Sequence, residues 1–170
     1  MGWGKLQTAL DIIYPPRCVA CGGHVESDYG LCGTCWRQVH FMRGTGCWTC
    51  GLSLPGYLDA SEQVICDSCP SLGPPWRRGV AALAYVETGR SLVLALKHGD
   101  RHDIVRPATD WMAQVSRVLV QPNMLVAPVP LHWTRLLRRR YNQAALLRAA
   151  LAKRLDLSHC ADLLIRSSRT

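Results

Sequence analysis

The chain has 170 residues, a hydrophobic content of 48% and a formal net charge of +8. That length allows one ordinary domain or two small ones, and the hydrophobic content is typical of a globular protein. No apolar run approaches the roughly 20 residues that a membrane-spanning helix needs, so the sequence predicts no membrane span.

The charge is divided unevenly along the chain. Residues 1–70 carry four Lys or Arg against six Asp or Glu, and residues 71–170 carry sixteen against six. Between Asp110 and Asp156 there are eight basic residues and no acidic one. Such a stretch indicates an anionic partner, which is either nucleic acid or a phosphorylated small molecule.

A short N-terminal helix is predicted to end near Tyr14, because Pro15-Pro16 follows it. Four Cys-x-x-Cys pairs come after this helix, within residues 1–70. A glycine follows the first and third pairs, and an aliphatic residue precedes the second and fourth. This pattern indicates one unit that occurs twice. Four thiolates at this spacing are typical of a structural zinc site, so we predict two zinc ions. The repeat assigns Cys18, Cys21, Cys32 and Cys35 to one ion and Cys47, Cys50, Cys66 and Cys69 to the other.

Two alternatives to this assignment stay open. A cross-braced arrangement would pair the first with the third Cys-x-x-Cys and the second with the fourth, although it ignores the repeat. A disulfide framework would need an oxidising compartment, and residues 1–14 lack the pattern of a secretory signal. Zinc is the favoured interpretation, and it predicts a reduced, cytoplasmic location where thiolates persist as ligands.

The region behind the cysteine pairs begins with a predicted linker at residues 71–78, because its prolines and glycine oppose a continuous helix or strand. Residues 79–86 form an apolar run with the length of a buried strand. Thr88-Gly89 is predicted to turn the chain, and residues 91–97 are predicted to form a short helix that stops at Gly99.

Three further elements follow. Residues 103–120 have apolar side chains at helical periodicity, which predicts a helix with one buried stripe. Residues 124–129 are apolar and bounded by prolines, which predicts a buried strand, and residues 141–155 are rich in helix-forming residues. This order of elements predicts the start of a parallel α/β sheet. Cys160 stands apart from the pairs and is predicted to be a buried, small apolar residue.

The segment between residues 126 and 144 is a strand that leads into a basic loop, and the carboxyl edge of an open α/β sheet is where ligands bind. Arginine side chains there suit phosphate oxygens. The alternative is a solvated basic face in which Asn142 only caps the following helix. Trp133 either stacks on a base or packs, whereas Trp36 and Trp48 are predicted to pack within the ribbons.

Several motifs together resemble one family. They are Tyr14-Pro-Pro-Arg-Cys-Val-Ala-Cys-Gly22, the other three cysteine pairs, Ala84-Tyr85, Leu96-Lys-His-Gly-Asp100, Val126-Ala-Pro-Val-Pro-Leu-His132, and the segment from Arg135 through Arg139 to Ala144. Over essentially its whole length the chain resembles the ComF (competence protein F) family, in which a double zinc ribbon precedes a domain like a type I phosphoribosyltransferase.

The resemblance implies an α/β fold with a double zinc ribbon at residues 1–70, a linker at 71–78, and the N-terminal part of a phosphoribosyltransferase-like domain at 79–170. It implies a link to DNA uptake in natural competence. The partners expected from it are single-stranded DNA, a phosphoribosyl-type ligand, and a protein of the competence machinery that docks on the ribbons. The anion-binding residues that it implies are Lys97, Arg135, Arg138, Arg139, Arg140, Asn142 and Gln143.

Two departures from the family pattern bear on activity. Arg140 stands where the family usually has glycine, which would strain a turn with positive φ. The sequence also stops where the family continues, and residues 100–170 contain no glycine and no adjacent acidic pair. We therefore expect the chain as given to lack the phosphoribosyl diphosphate loop and to be inactive as a transferase. Three hypotheses remain: a competence-type binding protein, an active phosphoribosyl-transferring enzyme, and a fragment of a longer protein.

Overall fold

The computed structural model describes residues 14–42, 46–55, 63–132, 134 and 141–167. Within these ranges the chain forms short helices around two ribbons, followed by three longer helices and a small parallel sheet. Turns of 3-10 helix at His102–Ile104 and Arg117–Leu119 flank the fourth helix. The elements are α1 (Gly33–Gln38), α2 (Ser68–Leu72), α3 (Glu87–His98), α4 (Val105–Ser116), β1 (Leu125–Val126), α5 (Gln143–Leu155) and β2 (Ser158–His159).

The three longer helices confirm the sequence prediction in type and approximate position. Helix α3 extends further toward its N-terminus than residues 91–97, and it ends at the predicted Gly99, whose N–H donates to the Ala95 carbonyl. Helix α4 lies inside the predicted 103–120 range. Helix α5 begins directly after Asn142, and the Asn142 side chain caps it. This is the capping role that the alternative interpretation of Asn142 predicts.

The predicted strand at residues 79–86 and the predicted turn at Thr88-Gly89 are both wrong. The segment instead makes a single antiparallel bridge between Leu83 and Phe41, because it borders ribbon loops that offer no regular strand to pair with. Thr88 and Gly89 are buried in the first turn of α3. A Cβ on Gly89 would lie 2.5 Å from the Ala84 carbonyl oxygen, so this glycine permits close packing of the helix and makes no turn.

The segment predicted as a linker begins inside a short helix, because α2 contains Pro70 and extends to Leu72. Pro70 lies in α2, within the first turn, where a backbone N–H has no helical acceptor and its loss costs little. The helix ends at Gly73, which has a φ of 52°. Beyond it, the indole Nε1 of Trp76 donates to the Thr49 carbonyl over 2.8 Å, so part of the predicted linker is attached to the second ribbon.

The predicted parallel sheet is present in a small form. Strand β1 pairs with β2 in parallel, with Leu125 opposite Ser158, and α5 connects the two strands. The prediction that 124–129 is a buried strand is wrong in burial and length, since Leu125 is 46% and Val129 72% exposed. Cys160 is likewise half-buried rather than buried, and its Sγ lies 3.2 Å from Asp162 Oδ1.

The main hydrophobic core joins the first ribbon to the longer helices. Val19 and Val39 of the ribbon pack with Leu92 of α3 and with Ile104, and all four are at most 5% exposed. Phe41 extends this contact to α4, since its ring centroid lies 5.4 Å from that of Trp111. The first ribbon is therefore a structural part of the helical half.

Three of the sequence predictions lie outside the described residues: the N-terminal helix, Trp133, and the arginine loop at 135–140. The domain boundaries at 1–70, 71–78 and 79–170 stay predictions.

Candidate metal centres and basic surface

The first ribbon folds as a metal-binding knuckle around its first cysteine pair. The Cys18 N–H donates to the Gly23 carbonyl over 2.7 Å, and the Gly22 N–H donates back to the Cys18 carbonyl over 2.9 Å. This tight turn requires a φ of 76° at Gly22, a conformation that favours glycine. The turn directs the pair toward Cys32, which caps α1.

The second ribbon repeats these contacts at equivalent positions. The Cys47 N–H donates to the Leu52 carbonyl over 2.7 Å, and the Gly51 N–H donates to the Cys47 carbonyl over 2.8 Å. Gly51 has a φ of 75°, within a degree of the value at Gly22. The sequence repeat is therefore also a structural repeat, as the pattern of glycines predicts.

The sulfur atoms of each ribbon converge on one point. In the first tetrad the Sγ atoms of Cys21 and Cys32 are 3.7 Å apart, and in the second the Sγ atoms of Cys50 and Cys66 are also 3.7 Å apart. All four Sγ atoms of each tetrad lie within 4.8 Å of one another. A zinc ion with Zn–S bonds of about 2.3 Å requires sulfur atoms about 3.8 Å apart at the corners of its tetrahedron. The two tetrads therefore fit two zinc ions.

A backbone N–H group donates a hydrogen bond to one sulfur atom of each tetrad. The Cys32 N–H lies 3.3 Å from Cys18 Sγ, and the Cys66 N–H lies 3.3 Å from Cys47 Sγ at the equivalent position. Such N–H···S contacts orient a thiolate and reduce its charge density, the role that a second layer of ligands has around a metal. Zinc bound here would hold the two ends of each ribbon together, a structural role that needs no open coordination position.

The same donors affect ionisation of the first cysteine in each tetrad. Burial opposes ionisation of Cys18, but backbone N–H groups, led by that of Cys21, outweigh it and lower the pKa of Cys18 to about 6. Burial likewise opposes ionisation of Cys47, and the Cys66 N–H leads the donors that lower its pKa to about 6. Since the thiolate is the form that binds metal, one residue of each tetrad is already biased toward the ligand state.

The structure decides between the arrangements that the sequence left open. The tetrads form within each ribbon rather than across them, which confirms the sequential grouping. All eight cysteines are free thiols, and the Sγ atoms of Cys66 and Cys69 are 3.5 Å apart, far beyond a disulfide bond of about 2.05 Å. The disulfide alternative is therefore wrong for these residues.

The candidate anion-binding residues are described only in part. Lys97 lies in the last turn of α3, and the Tyr141 hydroxyl donates to the Leu96 carbonyl over 2.7 Å, which brings the start of α5 against that turn. Asn142 Oδ1 is occupied by the backbone of α5. Gln143 is buried, and its Oε1 has no hydrogen-bond partner within the described part of the chain. Arg135, Arg138, Arg139 and Arg140 lie outside the described residues, so their role stays a prediction.

A cavity of about 420 Å³ was not anticipated from the sequence. It lies between the second ribbon and α4, with Trp48 and Trp111 among its lining residues. The guanidinium of Arg78 lies 3.8 Å from the centroid of the Trp48 ring, and its Nη1 donates to the Val118 carbonyl over 3.1 Å. The available signal was the run Trp76-Arg77-Arg78, in which an aromatic residue precedes two cations directly behind the second ribbon.

Comparison with known proteins agrees with this geometry. The family model described as a double zinc ribbon domain matches residues 9–70. Competence protein F of Haemophilus influenzae is 28% identical over 160 residues, which cover 91% of this chain and 67% of that protein. These matches support assignment of the chain to the ComF family. The chain has the predicted double zinc ribbon, followed by a half with a small parallel sheet, and no solved structure matches it.

Among the residues that the structure describes, no helix combines the length and apolar character needed to cross a bilayer.

Proposed function

We propose that this ComF-family protein binds single-stranded DNA through its basic half during DNA uptake. In this proposal the two N-terminal zinc ribbons have a structural role. The observation that carries the proposal is the surplus of cations behind the ribbons, sixteen against six acidic residues. Exposed Arg77, Arg90 and Arg117 form no ion pair with the described residues. Cations without carboxylate partners are available to phosphates.

The relative supports the biological setting. Competence is the uptake of DNA by a cell, and the Haemophilus influenzae protein is named for it. A cytoplasmic location belongs to this proposal, because cysteine tetrads retain zinc where thiols stay reduced. A protein partner that docks on the ribbons belongs to it as well.

The test is the salt dependence of binding to a fluorescent single-stranded oligonucleotide, measured by anisotropy on the full zinc-loaded chain. Each phosphate contact by a cation contributes a log–log slope of about −0.7 on single strands. Replacing Arg138, Arg139 and Arg140 with Gln should therefore flatten the slope by roughly two units. The matched control replaces exposed Arg37, Arg106 and Lys153 with Gln, which changes the net charge equally on other elements.

Equal flattening by both triple variants would show that the arginine loop has no special role in strand binding. Absence of binding by the wild-type chain at low salt would contradict the proposed function as a whole. Zinc content and thermal unfolding of each variant show whether the ribbons are intact.

A second candidate is binding of a phosphoribosyl-type ligand at the start of α5. It is favoured by Gln143 Oε1, a buried acceptor without a donor among the described residues, since a ribose hydroxyl is such a donor. Calorimetry with phosphoribosyl diphosphate should then show binding that Gln143→Met abolishes. The control Gln121→Met, at an exposed position, should leave it unchanged. Equal heats for both variants would remove this candidate.

A further inference from the structure

We propose that the cavity between the second ribbon and α4 holds one unpaired nucleobase of the bound strand. The inference rests on the proposed function, because it assigns a base-binding site to a protein that would otherwise contact phosphates alone. The cavity has a volume of about 420 Å³, which lies in the range of about 300–1,000 Å³ typical of small-molecule sites.

The walls of the cavity are suited to a flat, apolar ring. Trp48 lines it from the ribbon and Trp111 from α4, while Phe41 joins them from the first ribbon. Each base has a π-face, and stacking on aromatic side chains binds bases with little regard to sequence. Phe41 and Trp111 are held against each other, with ring centroids 5.4 Å apart, so the wall that they form is already ordered.

Arg78 is fixed in place before any ligand arrives. Its guanidinium stacks on the Trp48 ring on one side, and its Nη1 is held by the Val118 carbonyl. An arginine plane that rests on an aromatic ring offers its opposite face to a base, which adds a cation–π contribution. Because these contacts restrict the side chain beforehand, less conformational entropy is lost when a base binds.

The charge of the lining favours a polyanion. Arg78 is the one charged side chain among the described lining residues apart from the Cys47 sulfur, and none of these residues carries a carboxylate. Cys47 is 2% exposed and belongs to the second tetrad, where a bound zinc ion would share its charge. Arg77 and Arg117 are exposed next to lining residues Arg78 and Val118, where they can contact the phosphates that flank the base.

Two polar side chains at the rim can contact the edge of a base. Gln114 and Ser53 both line the cavity and are exposed. An amide and a hydroxyl each provide both a donor and an acceptor, so they can match the edges of different bases. The site is therefore expected to prefer unpaired bases over duplex and to discriminate little among them.

The first experiment compares a thymidine oligonucleotide with an abasic oligonucleotide of the same length, using anisotropy on the full zinc-loaded chain. Stacking contributes about 1–3 kcal/mol per base, so Arg78→Gln should weaken binding of the base-bearing strand by about 5-fold or more beyond its effect on the abasic strand. Arg77→Gln removes the same charge from a residue outside the cavity lining. It should weaken both strands equally.

The second experiment fills the cavity without changing the charge. Gln114→Trp places an indole at the rim and should weaken the base-bearing strand by about 5-fold or more, with the abasic strand unchanged. Gln121→Trp makes the same change at an exposed position outside the lining, and it should affect neither strand.

The outcomes separate this inference from the proposed function. If the wild-type chain binds both strands with equal affinity and salt dependence, the protein binds phosphates and the cavity holds no base. If it binds neither strand, the proposed function and the inference fail together. A free thymidine monophosphate arm distinguishes the source of the base: binding of the mononucleotide that Gln114→Trp blocks, without strand binding, would overturn the assignment to a strand.

Discussion

The two ribbons share one backbone design, but they differ in what surrounds them. In the first ribbon the residue after the knuckle cysteine is Val19, which is 2% exposed within the main core. In the second ribbon the equivalent residue is Trp48, which is half-buried and stacks with Arg78 beside an open cavity. The apolar cluster of the second ribbon consists of its own cysteines and Leu54 within the described residues. The same metal-binding unit thus belongs to the main hydrophobic core in its first copy and has a separate, small cluster in its second copy.

The largest expected effect comes from removing one zinc ligand from each ribbon in turn. Cys32→Ser should abolish cooperative unfolding of the whole chain, because the first ribbon supplies part of the main core and a structural zinc contributes about 10–16 kcal/mol of apparent binding free energy. That exceeds or equals the total stability of about 5–15 kcal/mol expected for a domain. Cys66→Ser should disorder only the second ribbon.

The measurement combines elemental analysis of zinc with thermal unfolding followed by circular dichroism. Wild type should contain two zinc ions, and Cys66→Ser should contain one and retain the helices α3, α4 and α5. Retention of a cooperative helical transition in Cys32→Ser would contradict the difference between the ribbons.

A smaller effect is expected at the equivalent positions behind the knuckles. Val19→Ala removes two buried methyl groups from the main core and should lower the free energy of unfolding by about 2 kcal/mol. Trp48→Leu keeps an apolar side chain but removes a partly exposed cation–π contact with Arg78, which contributes about 0.5–1 kcal/mol. Chemical denaturation of both variants in the presence of zinc compares the two losses in the free energy of unfolding, and a larger loss for Trp48→Leu would reverse the ranking of the two ribbons.

The smallest effect concerns the ion pair that attaches the first ribbon to the helices. Arg101 Nη2 donates to Asp103 Oδ2 over 2.7 Å and to the Val19 carbonyl over 3.1 Å. The hydrogen bond from Arg101 lowers the pKa of Asp103 below its ordinary value. The carboxylate therefore contributes stability above its unfolded pKa of about 3.9, and this contribution is lost as the pH falls through the lower folded value.

Asp103→Asn should cost about 0.2–1 kcal/mol at pH 7, since both side chains are more than a third exposed. The difference from wild type should shrink below pH 4, where the wild-type carboxylate also becomes neutral. The control is Asp110→Asn, which removes the same charge from a pair with Arg154 that does not involve the ribbon. A difference for Asp103→Asn that persists unchanged to pH 3 would show that the carboxylate charge is not its cause.

The amino-acid sequence by itself determined the metal centres and the three longer helices. The spacing of the cysteines and the positions of Gly22 and Gly51 are local constraints, because each knuckle closes within six residues and its turn needs a positive φ. The periodicity of α4 and the cap at Asn142 are equally local. Each of these features depends on residues a few positions apart, and such residues are visible in the printed sequence.

Only the tertiary structure decided how each of the two zinc ribbons packs against the rest of the chain. Residues 79–86 look like a strand because they are apolar, but their neighbours are ribbon loops that give Leu83 a single bridge. The burial of Val19 depends on Leu92 and Ile104, which lie more than 70 positions away. Arg78 and Val118, which both line the cavity beside Trp48, are joined by a hydrogen bond although 40 positions separate them in the chain. Burial, cavities and contacts between the ribbons and the helices depend on long-range packing, which no local pattern of residues encodes.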